Sequence, residues 1–211
     1  MAFQVVCLSA VDGSGSEQIG PLVAERLGYR VVNEEIVAMA AQQAEVDPAL
    51  LVDVEKKKSL INRVLDRLGP AAATSSMGGY MPLTVSASMP PTMVGYELGP
   101  ADDTLREVIR TTIEQLAEQG RIVIVAHAAS YALANRRDTL RVFLTASPET
   151  RMSRLTADAK QLAKSDGNRA DYLKRFYHVG AEQTYHYDLV LNTDHLDPAA
   201  AAAIIAGVAT A

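Results

Sequence analysis

The strongest constraint on the fold lies in the first thirty residues. Residues 3 to 9 form a short apolar run with β-branched side chains, which ends in Asp12-Gly13-Ser14-Gly15-Ser16. Ile19, Leu22, Val23 and Leu27 then recur at helical spacing until Gly28 stops the pattern. The order is strand, glycine loop, helix. Exposed backbone N–H groups in such a loop, together with the positive end of the helix that follows, suit a phosphate; a glycine turn with no ligand is the plainer alternative.

The alternation continues along the chain. Tyr29-Arg30-Val31-Val32 predicts a second strand, with Asn33 placed to cap a helix carrying Ile36, Val37, Ala40 and Ala44. A further helix is expected from Pro48 to Leu68, ended by Gly69-Pro70. From Thr104, the residues Leu105, Val108, Ile109, Ile113 and Leu116 repeat on one helical face, Thr104 and Glu107 have capping-box spacing, and Gly120 closes the helix. Arg121-Ile122-Val123-Ile124-Val125 is a continuous apolar run of the kind found in parallel strands covered on both faces. Leu140-Arg141-Val142-Phe143-Leu144 predicts a fourth strand, and Ser147-Pro148-Glu149 opens a helix with a cap, a proline and an acid in the preferred places. A polar, basic stretch then runs to Arg169, ahead of a helix with Tyr172, Leu173, Phe176 and Tyr177. Tyr187-Asp188-Leu189-Val190-Leu191 predicts a fifth strand, and Asp197-Pro198 caps an alanine-rich terminal helix. Strands alternating with helices imply an α/β fold, a five-stranded parallel sheet with helices on both faces and ligands at the carboxyl ends of the strands.

One stretch breaks the alternation. Residues 69 to 100 hold Pro70, Pro82, Pro90, Pro91 and Pro100, four methionines and a single charge, Glu97. This composition predicts a long, irregular flap or insertion, which either stays poorly ordered or makes adaptable contact with a base or a partner subunit through its methionines, Tyr80 and Tyr96. Its nearly uncharged character makes a homodimer an expectation.

At 211 residues the chain is the size of one domain with a flap. Its 20 basic and 25 acidic residues leave a net charge of −5, which argues against broad binding of nucleic acid but leaves room for a local arginine patch holding a small anion. The lack of Trp and the three Phe offer little to stack on single-stranded bases. Cys7, the single cysteine, lies in an apolar run and reads as a small buried hydrophobe in a reducing compartment. No run approaches the roughly 20 apolar residues of a membrane span, and the N-terminus lacks the basic region of a signal peptide, so a cytoplasmic protein is expected. His178, His186 and His195 show no metal-ligand spacing.

The loop departs from standard phosphate-binding patterns. In GxxxxGK[ST], Ala10 would stand at the first glycine, Ser16 at the lysine and Glu17 at the hydroxyl; Gly15 alone fits. Against G-x-G-x-x-G, Gly13 and Gly15 fit, Gln18 does not, and Glu34 lies where a ribose-binding acid would be. A dinucleotide-binding oxidoreductase therefore stays open.

Read in order, several segments resemble the cytidylate kinase-like family. Residues 8–20, Leu-Ser-Ala-Val-Asp-Gly-Ser-Gly-Ser-Glu-Gln-Ile-Gly, are similar to its S-R-E-Y-G-S-G-G-x-x-I-G loop, which generally lacks the usual lysine. Asn33-Glu34-Glu35-Ile36 resembles D-K/R-E-I, and Ile124-Val125-Ala126-His127-Ala128-Ala129 resembles I-V-G-R-G-A. Leu140 to Leu144 with Pro148, Glu149, Arg151 and Arg154 resembles L-R-V-F-I…P-x-E-x-R-x-x-R. Asp166-Gly167-Asn168-Arg169 resembles D-x-x-R, and Tyr187 to Asp194 is close to Y-D-L-V-I-N-T-D. The likeness covers most of the chain outside residues 69 to 100. Three polar positions depart from it: the loop arginine is Ala10, the strand-two aspartate is Asn33 and the G-R-G is Ala126-His127-Ala128.

The resemblance implies a three-layer P-loop NTPase-like fold spanning residues 1–211 as a single kinase-like domain, with residues 69–100 a flap and about 156–170 a lid-like segment. It implies ATP with its phosphates on Gly13, Ser14, Gly15, Ser16 and Glu17, Mg2+ as companion ion, and phosphoryl transfer to a cytidylate-like nucleoside monophosphate or other small acceptor. Arg151, Arg154 and Arg169 would supply positive charge to the transferred group, and Asp166 would orient Arg169. Asn33, Glu34 and His127 would contact the acceptor. Plainer roles remain beside these: Arg151 and Arg154 as a solvated face pairing with Glu149 or Asp158, Asp166 and Arg169 as local ion pairs, His127 as a core-edge histidine, Asn33 as a helix cap. With no lysine in the loop and no aspartate in a Walker B position, a nucleotide-binding protein with weakened catalysis and a regulatory role is the alternative to an active kinase.

Overall fold

A computed structural model describes residues 2–33, 100–126, 129–180 and 182–211; at 100–106, 108, 175 and 176 only the backbone is described. The helices expected within 34–68, most of the flap at 69–100, and Glu34 and His127 lie outside the described residues.

Strand β1 (Val5–Ala10) is buried along its whole length. It pairs in parallel with β3 (Ile122–Val125) on one side and with β4 (Thr139–Thr145) on the other. β2 (Arg30–Asn33) and β5 (Leu189–Asn192) complete a five-stranded, all-parallel sheet in the order β2-β3-β1-β4-β5. Alternate side chains of β1 feed two separate cores. Val6 and Leu8 pack with Ile19 and Val23 of α1 (Ser16–Leu27) and with Ala201, Ala202 and Ile205 of α6 (Pro198–Thr210). Val5 and Cys7 face the opposite layer, with Ile113, Leu116 and Ala117 of α2 (Pro100–Glu118) and Ala129 of the short α3 (Ala129–Ala132). The result is the expected three-layer α/β arrangement. Complete burial pushes the Cys7 thiol up to about 12, so it behaves as an inert apolar side chain.

The remaining helices bring charged residues to the carboxyl edge of the sheet. In α4 (Pro148–Leu155), the Ser147 hydroxyl accepts from the Thr150 amide, and Pro148 fills the first turn, as its sequence predicts. α5 (Ala159–Tyr177) starts within the polar stretch, not after Arg169, with Asp158 and Gln161 forming a reciprocal capping box. The segment 156–170 is therefore helical from Ala159 onward. α2 likewise is helical from Pro100, where a proline and the acids Asp102 and Asp103 suit a first turn, so Thr104 lies inside the helix and not at its N-cap, where the sequence places it. β5 begins two residues later than expected because Asp188 is spent on Arg141: its carboxylate accepts from Nε, at 3.1 Å, and Nη2, at 2.8 Å, of that side chain and from its backbone amide. Burial works against the charge, but these bonds outweigh it and hold the Asp188 carboxyl below its ordinary range.

Two predictions follow from the packing of α1 and the anchoring of β5. A Cβ on Gly20 would stand 2.5 Å from Cγ2 of Val125 in β3. Gly20→Ala gains about 1 kcal/mol of helix propensity, but overpacking costs about 1–3 kcal/mol; urea denaturation is expected to show a net loss, and a gain would mean that α1 does not press on β3. A depressed Asp188 stabilises the fold above the ordinary aspartate pKa of about 3.9, and that stabilisation is lost as pH falls through the lower folded value. Thermal melts of Asp188→Asn across the acid range should show a shallower acid limb than wild type.

Candidate phosphate-binding site

The loop between β1 and α1 turns twice through backbone conformations that favour glycine, at Gly13 (φ 79°) and Gly15 (φ 90°). Gly13 is needed for a second reason: a Cβ there would lie 3.0 Å from Cα and O of Arg151. Gly15 caps α1 with no side-chain hydrogen bond, and the first-turn amides of a helix have no helical acceptor. The amides around Ser16 and Glu17 thus start α1 with its positive end open.

The carbonyls of the same loop are all engaged on the protein side. Ala10 O accepts from Arg169 Nη1 at 3.0 Å, Asp12 O from Arg151 Nε at 2.6 Å and Gly13 O from Arg154 Nη1 at 3.2 Å. Val11 O accepts both the amide of Ser14, at 3.1 Å, and its hydroxyl, at 2.7 Å, and Ser14 O accepts from Thr193 Oγ1 at 2.8 Å. Five consecutive oxygens that would repel an anion are therefore bound away by donors, while the helix amides remain for a ligand.

The three arginines differ in charge balance. Arg151, 5 % exposed, forms a fork with Asp166, with Nη1 to Oδ2 at 3.0 Å and Nη2 to Oδ1 at 2.6 Å. Arg169, 7 % exposed, forms a fork with Glu182, with Nε to Oε2 at 3.0 Å and Nη2 to Oε1 at 2.6 Å, and lies over the Phe143 ring. The Tyr187 hydroxyl also donates to Glu182, and burial holds the Tyr187 phenol far above its ordinary range. Arg154 has only neutral partners among the described residues: Gly13 O, Thr193 Oγ1 at 2.9 Å and Thr193 O at 2.7 Å. Its positive charge is not offset by a carboxylate there, and Nη1 lies 3.9 Å from where a Gly15 Cβ would be.

Several expected pairings change. Asp166 binds Arg151, not Arg169, because α5 begins early enough to bring Asp166 alongside α4. Neither Glu149 nor Asp158 pairs with Arg151 or Arg154; Asp158 caps α5 instead. Asn33 ends β2 and is exposed. Asp12 places its carboxylate on the hydroxyl of Ser165. Asp194 accepts the Ser147 amide at 2.8 Å, which holds its carboxyl below the ordinary range, and Asn192 accepts the Asp194 amide. Glu182 and Thr193 were not singled out from the sequence. Glu182 lies between elements with no periodicity to mark it, while Thr193 stands in the Asn-Thr-Asp motif at the end of β5, where its role comes from tertiary partners that local spacing does not show.

The sequence matches the cytidylate kinase-like family over residues 5–195. The chain belongs to the cytidylate kinase-like family. No curated protein matches it. A crystal structure of an uncharacterized protein from Eubacterium ventriosum ATCC 27560 is similar in fold, with 14% identity, a TM-score of 0.61 and 97% of each chain covered. Shikimate kinase from Bacteroides thetaiotaomicron has 14% identity and a TM-score of 0.49, with 98% of this chain and 97% of that chain covered. That from Aquifex aeolicus has 13% identity and a TM-score of 0.46, with 97% and 95% covered. Family membership supports a nucleotide kinase-like function. Among the described residues no helix is long and apolar enough to cross a membrane.

The two forked pairs differ in exposure, and this sets their expected energies. The Asp166 side chain is 44 % exposed, against 19 % for Glu182. Breaking a buried pair costs about 3–5 kcal/mol because it strands a buried charge; Arg151 is buried as well, but its carboxylate is half exposed, so losing Asp166 should cost less than losing Glu182. Glu182→Gln is expected to lower unfolding free energy, measured in urea, clearly more than Asp166→Asn; the reverse order would mean that Arg169 is not the principal brace.

Proposed function

We propose that the protein binds ATP with its phosphates on Gly13, Ser14, Gly15, Ser16 and Glu17 and transfers the terminal phosphoryl group to a nucleoside monophosphate or another small acceptor. The observation that carries this reading is the un-neutralised Arg154 beside the open N-terminus of α1, with the loop carbonyls bound away. Arg154 contributes the charge that the absent loop lysine would supply at Ser16. A charge-assisted hydrogen bond contributes about 1.5–3 kcal/mol, equivalent to roughly ten- to a hundredfold in affinity. Arg151, Asp166 and Arg169 act in this reading as positioning residues, which fix the loop through Asp12 O and Ala10 O. Asn33, at the end of β2, would contact the acceptor together with Glu34 and His127, as the family resemblance suggests.

Mg2+ accompanies ATP in this reading, but the described residues do not make a ready site for it. No group of three or more His, Cys, Asp or Glu side chains stands together among them, and the Asp12 carboxylate is engaged by Ser165. No step is assigned to the ion.

A second reading, nucleotide binding with weakened catalysis and a regulatory role, is favoured by a specific feature: Arg151 and Arg169 are each held by a carboxylate and add little net charge for a transition state. Thermal shifts with ATP, ADP, CMP and NAD, with and without magnesium, followed by ADP release with a panel of acceptors, separate the two. The kinase reading expects stabilisation by ATP and ADP release with at least one acceptor of the panel. ATP stabilisation without turnover selects the regulatory reading, and stabilisation by NAD alone overturns both. Gly15→Asp, which adds a side chain and a negative charge where φ is positive, should abolish the ATP-induced shift; an unchanged shift would place the nucleotide elsewhere.

A further inference from the structure

We infer that Thr193 is the positioning residue that aims Arg154 at the phosphate loop, so that the end of β5 sets the strength of nucleotide binding. The inference rests on the phosphate-loop reading above and goes beyond it by assigning the part that holds the loop's cation in place.

Thr193 is 1 % exposed and fixed at the sheet edge, where its amide donates to Thr145 O at 2.8 Å. Its hydroxyl has a single proton and two acceptor positions. Ser14 O at 2.8 Å is a closer acceptor than Thr145 O at 3.3 Å, so the proton goes to the loop. The lone pairs then face Arg154 Nη1, and the Thr193 carbonyl takes Nη2 of the same guanidinium. One residue thereby grips both arms of Arg154 and the loop carbonyl next to Gly15. Arg154 is otherwise an exposed side chain on α4, and a long exposed arginine loses considerable rotamer freedom when fixed. The Thr193 grip removes that freedom before ligand arrives, which is what preorganisation of a charge requires.

The geometry also separates Thr193 from a general brace. A brace would act on Ser14 O alone and would not depend on Arg154. A positioning residue acts also through the guanidinium, so part of its hydroxyl's effect disappears once the guanidinium is gone.

The test is isothermal titration of ATP into the full chain, with thermal unfolding of each variant alongside. Arg154→Ala is expected to weaken ATP binding by about tenfold or more. Thr193→Val, which removes the hydroxyl at similar volume, should weaken it several-fold in the same direction, and Thr193→Ser should retain affinity within about twofold. Combining Arg154→Ala with Thr193→Val should weaken binding by clearly less than the two single losses multiplied together, the remaining loss coming from the freed Ser14 carbonyl. Arg154→Lys keeps the charge but cannot span both Thr193 oxygens, and it should lose most of the affinity that Arg154→Ala loses; this arm stands even if Thr193→Val unfolds. Additive losses in the double variant, or full affinity in Arg154→Lys, overturn the assignment. An Arg154→Ala protein with undiminished affinity, while Gly15→Asp abolishes binding, overturns the role of Arg154 and Thr193 but leaves the phosphate loop in place. Failure of wild-type protein to bind ATP removes the phosphate-loop reading itself.

Discussion

A glycine loop can face an anion only if its own carbonyls are turned elsewhere. Between Ala10 and Ser14 every carbonyl finds a donor: three from arginines on α4 and α5, one from the loop's own Ser14 and one from Thr193. The arrangement explains why α4 must lie against Gly13 with no room for a Cβ, and why α5 must reach back to the end of β1. It also explains the burial of two arginines, since each can enter the interior only with a carboxylate to balance it.

Charge at this edge is consequently divided between two tasks. Arg151 and Arg169 are matched by Asp166 and Glu182, and their principal effect is on loop geometry. Arg154 keeps its charge available, and it lies nearest the helix end. A loop without lysine can therefore still present one cation to a phosphate, supplied across the sheet edge by a neighbouring helix. Transition-state stabilisation needs charge that strengthens as phosphoryl oxygens develop negative charge. With one such cation among the three arginines at this edge, binding is better provided for than catalysis, which is why the regulatory reading stays beside the kinase reading.

Much of the scaffold was legible in the sequence because parallel strands buried on both faces appear as apolar runs; Val5 to Leu8 and Ile122 to Val125 are direct examples. The loop was legible from Gly13 and Gly15, and the helix caps at Ser147 and Asp197 from their side chains. The start of α5 was not, because its inward face reads Leu162, Arg169 and Leu173, so that an arginine occupies a position where periodicity requires an apolar residue. That substitution hid both the helix and the pairing of Asp166 with Arg151. Glu182 was invisible for a related reason: its importance comes from Arg169 and Tyr187, which reach it through tertiary packing and not through any local spacing.

The most direct test of the loop's role is an NMR titration of isotopically labelled protein with ATP, following backbone amide shifts. The account predicts that the largest changes fall on Gly13 to Glu17, with the Arg154 side-chain resonances moving at the same ATP concentration. Saturating ATP with those signals unmoved, and the largest changes elsewhere, would contradict it.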